Sequence, residues 1–420
     1  MASARRGAGE AVATINDVAR RAGVAPSIVS RLLNDDPRLR IRDATERRIL
    51  AAVRELNYRP NSAARSLRLA RSSTLGLVMH DITNPVYGEI MRGAQQAATE
   101  AGYALLLGDA DALARNEEAV SHLLGEQRID GLLLQRSTYA SDRLIMRNRP
   151  RDLPVVLLND WSRGPLSSVA LDDKAGAVLA MQHLLGLGHT QIAFIGVGTS
   201  YRSTERRRAY FASLRDAGLA VRDEWVVSGG AESNTGRNAM AALFSSLPYP
   251  SAVFVANLNA AVGAVRWAFE SGLSVPEDVS IVALHDAWFA EQLNPPLTTV
   301  SMPLREMGRA AVLQLCGELD GESRRHIAVT SPQPVLNERA SSAPPRRKGK
   351  RRGLRQVRRA HPSNLATSTG EIGQQRLGTG GRERQLQLPE VGLADYLRVS
   401  QAEDNRQSTT SAQRFKTLSQ

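Results

Sequence analysis

The sequence predicts an α/β protein: a small all-helical head followed by a long, two-lobed body with parallel sheets. Three observations predict it. Across residues 14–69 the apolar residues recur at helical spacing throughout. After Ser72 the period changes, and short apolar runs alternate with helical stretches, as in parallel sheets covered by helices on both faces. Beyond Glu338 the chain turns basic, polar and proline-containing, with little that could bury a core.

In the head, Ile15, Val18, Ala19 and Ala22 mark one face of a first helix. Thr14 is placed to cap it, and Asp17 suits its positive end. Gly23 breaks it. Ile28, Val29, Leu32 and Leu33 mark a second, short helix that opens on Ala25-Pro26. Proline is preorganised for a first helical position, whereas Ala25 brings no capping hydroxyl. A third helix is expected over 43–56, with Ile49, Ala52, Val53 and Leu56 facing inward. A fourth segment, NSAARSLRLA, follows Pro60.

In the body, TLGLVMH, YALLLGD, DGLLLQ, PVVLLN and SVALD read as one strand series. QIAFIGV, WVVSG, AVFVAN and VSIVAL read as a second. Helical runs such as QQAATEAG and ARNEEAVSHLLGEQ separate them. Roughly 270 residues exceed one comfortable domain, so two similar lobes are expected. The division falls near 171–173, where LDD closes one strand series and opens a helix.

Composition narrows the function. The one cysteine, Cys316, lies in the apolar run AAVLQLCGEL, which excludes a disulfide framework and a multi-cysteine metal site. A reducing, cytoplasmic setting fits that usage. No run approaches the ~18 apolar residues of a membrane span, and MASARRGAGEAVAT shows no secretory apolar core. The net charge of +12 is unevenly spread: residues 1–70 carry +7, residues 341–420 carry +10, and the stretch between them is acidic. A basic head on an acidic body points to a polyanion partner, although charge alone leaves a merely solvated basic surface open. His80, His122, His183 and His189 have no metal-ligand spacing, and IGVGTS is a lone glycine loop. With no nucleophile elbow and no P-loop, neither an enzyme nor a cofactor or metal is expected.

Two helices joined at a glycine, with a third packed across them, make a helix-turn-helix. Val29, Leu32 and Leu33 should face the head's core, with Pro26, Ser27, Ser30, Arg31 and Asn34 outward. Such a face suits a major groove, where arginine pairs with guanine O6 and N7. A plain helical bundle shows the same pattern.

The stretches TINDVARRAGVAPSIVSRLLN and RRILAAVRELNYRPNSAARSLR resemble the head of the LacI/GalR (lactose-repressor) family of transcriptional regulators. The resemblance continues through TLGLVMHDITNPVYGEIMRGAQQAATEAGY, HLLGLGHTQIAFIG, SGLSVPEDVSIVALHD and PPLTTVSMPLREMGRAA, covering about 13–340. It implies a helix-turn-helix domain at 14–60, a hinge helix and linker at 61–71, and an effector-binding and dimerisation body at 72–340 that is similar to periplasmic sugar-binding proteins. Residues 1–13 and the basic tail 341–420 are expected to be disordered, and removal of the tail from 341 to be harmless. Pro26, Ser27 and Arg31 match base-reading positions, and Thr14, Ser30 and Asn34 match positions near phosphates. Asn61 and Ala64 belong to the implied hinge helix, where a small Ala64 lets two symmetry-related helices approach. Leu67 matches the leucine wedged into the minor groove, a contact that unstacks a step and bends the duplex. The implied partners are double-stranded operator DNA, a second copy of the chain and a small-molecule effector.

For the effector, the resemblance and the strand ends nominate Asp81 and Asn84, then Asn159, Asp160 and Trp161, then Arg206, Asn257 and His285. Trp161 could stack on a sugar ring. Two positions depart from the family: Leu258 stands where Asp is usual, and His285 where an effector-binding Asp is commonest. That pattern argues against an ordinary neutral hexose and for a sugar derivative such as a sugar acid or sugar phosphate, with Arg206 and His285 meeting its charge. A solute-binding protein of a sugar transporter shares the body but has no use for residues 14–69. A sugar-modifying enzyme would need converging acid and base groups, which the candidates lack.

Overall fold

The computed structural model describes residues 13–33, 36–58, 71–125, 128–135, 140–159, 164–196 and 201–346. Asn34, the hinge residues Asn61, Ala64 and Leu67, and the candidates Asp160 and Trp161 lie outside the described residues.

The head comprises α1 (Ile15–Ala22), α2 (Pro26–Leu33) and α3 (Asp43–Glu55). Thr14 caps α1 in a reciprocal box: the Asp17 backbone N–H donates to Thr14 Oγ1 at 3.4 Å, and the Thr14 N–H donates to Asp17 Oδ2 at 3.0 Å. Gly23 ends α1 at φ 63°, a left-handed turn that glycine adopts without steric cost. Helix α2 opens at Pro26, with the Ala25 carbonyl accepting the Ile28 N–H. Val18, Ala19, Ala22, Val29, Ile49 and Ala52 form the core, flanked by Leu32, Leu33, Val53 and Leu56. The exposed ion pair of Arg21 with Glu55 joins α1 to α3.

The chain then runs β1 (Thr74–Met79), α4 (Tyr87–Glu100), β2 (Ala104–Asp109), α5 (Ala110–Ala114), α6 (Glu117–Leu124), β3 (Gly131–Gln135), α7 (Ala140–Asn148), β4 (Val155–Leu158) and β5 (Ser167–Leu171). It continues with α8 (Asp173–Gly186), β6 (Ile192–Gly196), α9 (Tyr201–Asp216), a 3-10 turn (Asp223–Trp225), β7 (Val226–Ser228), α10 (Ser233–Leu243), β8 (Ala252–Val255), α11 (Leu258–Glu270) and β9 (Ser280–Leu284). A second 3-10 turn (Trp288–Gln292), β10 (Thr298–Ser301), α12 (Leu304–Leu319), β11 (His326–Val329) and β12 (Val335–Asn337) follow.

These elements build two compact units. One takes the chain through Thr83, then Tyr87–Ala170 and Arg305–Ile327. The other takes Asn84–Val86, Leu171–Leu304 and the chain from Ala328 onward. Each holds a six-stranded sheet, ordered β11-β5-β4-β3-β1-β2 in the first and β12-β10-β9-β8-β6-β7 in the second. Strands β1 to β5 pair in parallel, as do β6 to β10, whereas β12 runs antiparallel to β10. The interior strands are buried along their whole length, which is why they read as unbroken apolar runs. The three last strands were not expected from sequence. HIAV and VLN are short and partly exposed, so they carry no continuous apolar signal. No helix among the described residues is long and apolar enough to cross a membrane.

One boundary needs correction. The expected disordered tail begins at 341, yet Ser341 and Ser342 are buried in the second unit. Ser341 Oγ donates to Ile281 O at 2.6 Å and accepts the Thr298 N–H at 2.8 Å, and the Ile281 N–H donates to Ser341 O at 2.8 Å. Ser342 Oγ lies 2.8 Å from His183 Nε2, and His189 Nε2 meets Ala343 O at 2.9 Å. These residues satisfy buried polar groups of β9, β10 and α8, a service no solvated tail performs.

Candidate functional site

The described candidate residues fall into two sets. The first lies on α2. Pro26, Ser27 and Arg31 are exposed on one side of the helix and Ser30 is half-buried, while Val29 is fully buried on the other side. Nothing on α1 or α3 fills the outward face, because their apolar residues converge on Val29. Arg31 is held rather than loose: its Nε–H donates to Asp36 Oδ2 at 2.8 Å. The other oxygen of that carboxylate accepts the Arg38 backbone N–H at 2.9 Å. This N–H, with Arg31, holds the Asp36 carboxyl below the usual carboxylate range. Thr14 is exposed beside the same fold, with its hydroxyl donating to Asp17 Oδ2 at 2.6 Å.

The second set belongs to the second unit, at carboxyl ends of its parallel strands. Such ends are where open α/β sheets bind ligands. Arg206, in α9 after β6, is buried. Its Nε and Nη2 donate to Asp173 Oδ1 at 2.9 and 2.6 Å. Its Nη1 donates to Ala256 O, just past β8, at 2.6 Å. Its Nη2 also meets Nε2 of His285, just past β9, at 2.9 Å. Guanidinium has no acceptor and keeps its charge in proteins, so the His285 Nε2 must present its lone pair. His285 is therefore a neutral imidazole protonated at Nδ1.

The positive charge expected at His285 is not available in this arrangement. His285 brings no positive charge to a ligand, because accepting from Arg206 forbids it. Asp173 is buried beside Arg206, so the cluster of Arg206, Asp173 and His285 is neutral as a whole. Among the described residues, four of the five guanidinium N–H groups are engaged, which leaves one on Nη1. Asp173 Oδ2 is buried with no hydrogen-bond partner among the described residues.

The remaining candidates are partly committed to local structure. Asn257 caps α11, its Oδ1 accepting from the N–H groups of Asn259 and Ala260 at 2.9 and 3.3 Å. Leu258, where the family usually has Asp, is fully buried at the start of that helix. Asp286 is bound bidentately by Arg339 at 2.9 and 3.0 Å. In the first unit, Asp81 Oδ1 accepts from both the N–H and the hydroxyl of Thr83. The Asn159 N–H there donates to Val169 O at 2.6 Å. In the second unit, Asn84 Oδ1 accepts the Val86 N–H at 3.1 Å.

Backbone geometry singles out three of these residues. Asp81, Asn159 and His285 have φ of 52°, 51° and 71°, three of the five non-glycine residues with positive φ among the described residues. Each follows β1, β4 or β9 closely. Left-handed residues cost of order 1–3 kcal/mol and cluster at functional sites.

Sequence reasoning missed Asp173 and Asp36. Asp172 caps α8 through the Ala175 N–H at 2.9 Å, which accounts for one acid of the LDD run and leaves the other to turn inward. The usable signal was Arg206 itself, since a buried arginine requires a nearby carboxylate. His189 is structural, bonding Ser251 Oγ and Ala343 O at 2.9 Å each.

Comparison with known proteins agrees with this architecture. Residues 14–61 match the family described as bacterial regulatory proteins, lacI family, and residues 181–342 match the periplasmic binding protein-like domain. The ribose operon repressor of Escherichia coli (strain K12) is 36% identical over 342 residues, covering 79% of this chain and 100% of its own. The lac repressor dimer bound to operator and the anti-inducer ONPF superposes with a TM-score of 0.66 at 25% identity, covering 79% of this chain and 99% of that one. A LacI family transcriptional regulator from Enterococcus faecium with bound ribose has a TM-score of 0.56 at 25% identity, covering 65% of this chain and 100% of that one. The helix-turn-helix is thus a DNA-binding head rather than a plain bundle, and neither the transporter nor the enzyme reading survives. The chain belongs to the LacI family of transcriptional regulators, as a DNA-binding repressor with a periplasmic-binding-protein-like effector domain.

Proposed function

We propose that this repressor senses a neutral sugar of the ribose class and reads its operator as a homodimer through α2. The observation that carries the effector reading is the neutral cluster of Arg206, Asp173 and His285. An acidic effector would have to settle beside the Asp173 carboxylate, whose Arg206 partner is already compensated by it. A sugar hydroxyl suits the groups left over, since it donates and accepts at once. Separate hydroxyls of one sugar can accept from the remaining Arg206 Nη1–H and donate to Asp173 Oδ2. The Asn257 side chain stands next to Ala256, whose carbonyl Arg206 already binds. The names of the Escherichia coli and Enterococcus faecium relatives make ribose the first sugar to try.

On the DNA side, Arg31 is the base reader and Ser27 assists it, while Pro26 offers only an apolar face, suited to a thymine methyl. Thermal unfolding tests the effector reading. A ligand at a hundred times its Kd adds about 2.7 kcal/mol, which shifts a body of this size by several degrees. Ribose and related neutral sugars should raise the melting temperature, and ribose 5-phosphate and sugar acids should leave it unchanged. The reverse order would refute the neutral-sugar reading.

A further inference from the structure

We propose that Asp36 is a positioning residue for base reading, gripping the Arg31 guanidinium by its Nε edge so that both Nη groups are presented to a guanine. The inference rests on Arg31 being the base reader. The carboxylate is itself fixed. Its Oδ1 accepts the Arg38 N–H at 2.9 Å, the Asp36 N–H donates to Arg31 O at 3.1 Å, and the Asp36 carbonyl accepts the Leu39 N–H at 2.9 Å. Asp36 therefore hangs from the last turn of α2 and from the turn that follows it. Its Oδ2 takes the single Nε–H of Arg31 at 2.8 Å.

Guanine O6 and N7 need two parallel N–H groups, which the Nη pair supplies. A contact at Nε leaves that pair available as far as the described residues go, whereas an inhibitory clasp would occupy it. The Arg31 side chain is 45% exposed, so without Asp36 it would sample many rotamers and lose that freedom on binding. An acid on a DNA-facing turn carries a penalty against phosphates. The two effects give opposite signs. Removing Asp36 should weaken sequence-specific binding and leave nonspecific binding equal or stronger.

The experiment uses the full chain and a duplex enriched by it from a randomised pool, with a scrambled duplex of the same composition as the nonspecific probe. Asp36→Ala should lose about threefold per head, within the range of a partly exposed pair, and so roughly tenfold on a two-headed operator. Affinity for the scrambled duplex should not fall. The motif enriched by Asp36→Ala should lose its guanine preference at one symmetric step. Asp36→Asn keeps the volume but has one acceptor atom for two donors, and should behave alike. The double variant with Arg31→Ala should be no worse than Arg31→Ala alone. Equal tightening on both duplexes, or multiplicative effects in the double variant, would overturn the proposal. If Arg31→Ala leaves the ratio of operator to scrambled affinity intact, the base-reader assignment fails and takes the proposal with it. Each ratio compares one protein sample on two duplexes, so a loss of folded fraction does not move it.

Discussion

Ending the chain at residue 340 should damage the second unit, whereas ending it at 346 should not. Truncation at 340 removes the carbonyl that accepts the Ile281 N–H and the hydroxyl that accepts the Thr298 N–H. Ile281 and Thr298 are fully buried, so neither donor meets bulk water without local rearrangement. An orphaned buried donor costs about 1–3 kcal/mol, so the two together cost about 2–6 kcal/mol. His183 and His189 lose ring-nitrogen partners as well. A loss of about 4 kcal/mol, at about 2–4 °C per kcal/mol for a unit of this size, lowers the melting temperature by roughly 10 °C. Calorimetry of the full chain and the two truncated forms makes the comparison. The form ending at 346 should melt with the full chain, and the form ending at 340 well below it. Equal melting of both truncated forms would refute the claim that the 341–343 segment satisfies buried groups.

Asp173→Asn should cost about 3–5 kcal/mol, because it leaves the buried Arg206 charge uncompensated. Adding Arg206→Met should recover much of that stability while abolishing effector binding, as a denaturant titration and a ligand melt would show. Gly263→Ala should destabilise by about 1–3 kcal/mol, since a Cβ there would lie 1.8 Å from the Ser233 carbonyl oxygen where α10 and α11 touch. Gly186→Ala, at the end of α8 with nothing within 4 Å of the added methyl, should instead stabilise by about 0.5–1 kcal/mol.

Much of the architecture was legible because its causes are local. The head follows from apolar period plus punctuation: Val18, Ala19, Ala22 and Val29 mark the core, and Thr14 and Gly23 mark where α1 starts and stops. The interior strands β1, β3, β4, β5, β6, β8 and β9 were legible because parallel strands buried on both faces need unbroken apolar runs, and the more exposed edge strands β2 and β7 still carry short apolar runs, LLL and VV. Strands β10 to β12 lie at or near sheet margins and are only three or four residues long, and TTVS is mostly polar, so none carries a continuous apolar run. The site was legible in place but not in chemistry. The position of His285 could be read from the motif around it. Its protonation could not, because that depends on which way the Arg206 Nη2 points. Asp173 was hidden because the LDD run was already accounted for as the point where a strand ends and a helix begins, and Asp172 alone caps that helix. Asp36 was hidden because its partner lies five residues back across a turn, a spacing with no helical or strand signature.

The central claim is that a neutral sugar binding in the body changes operator affinity. The most direct measurement is the affinity for the pool-enriched duplex with and without saturating ribose, paired with the ribose affinity of free and duplex-bound protein. Coupling of about 1–3 kcal/mol predicts a change of roughly five- to 150-fold, equal in both directions because linkage is reciprocal. The account predicts that equality for ribose, with no effect of ribose 5-phosphate. Ribose binding that leaves duplex affinity unchanged, or a response to the phosphate ester alone, would contradict it.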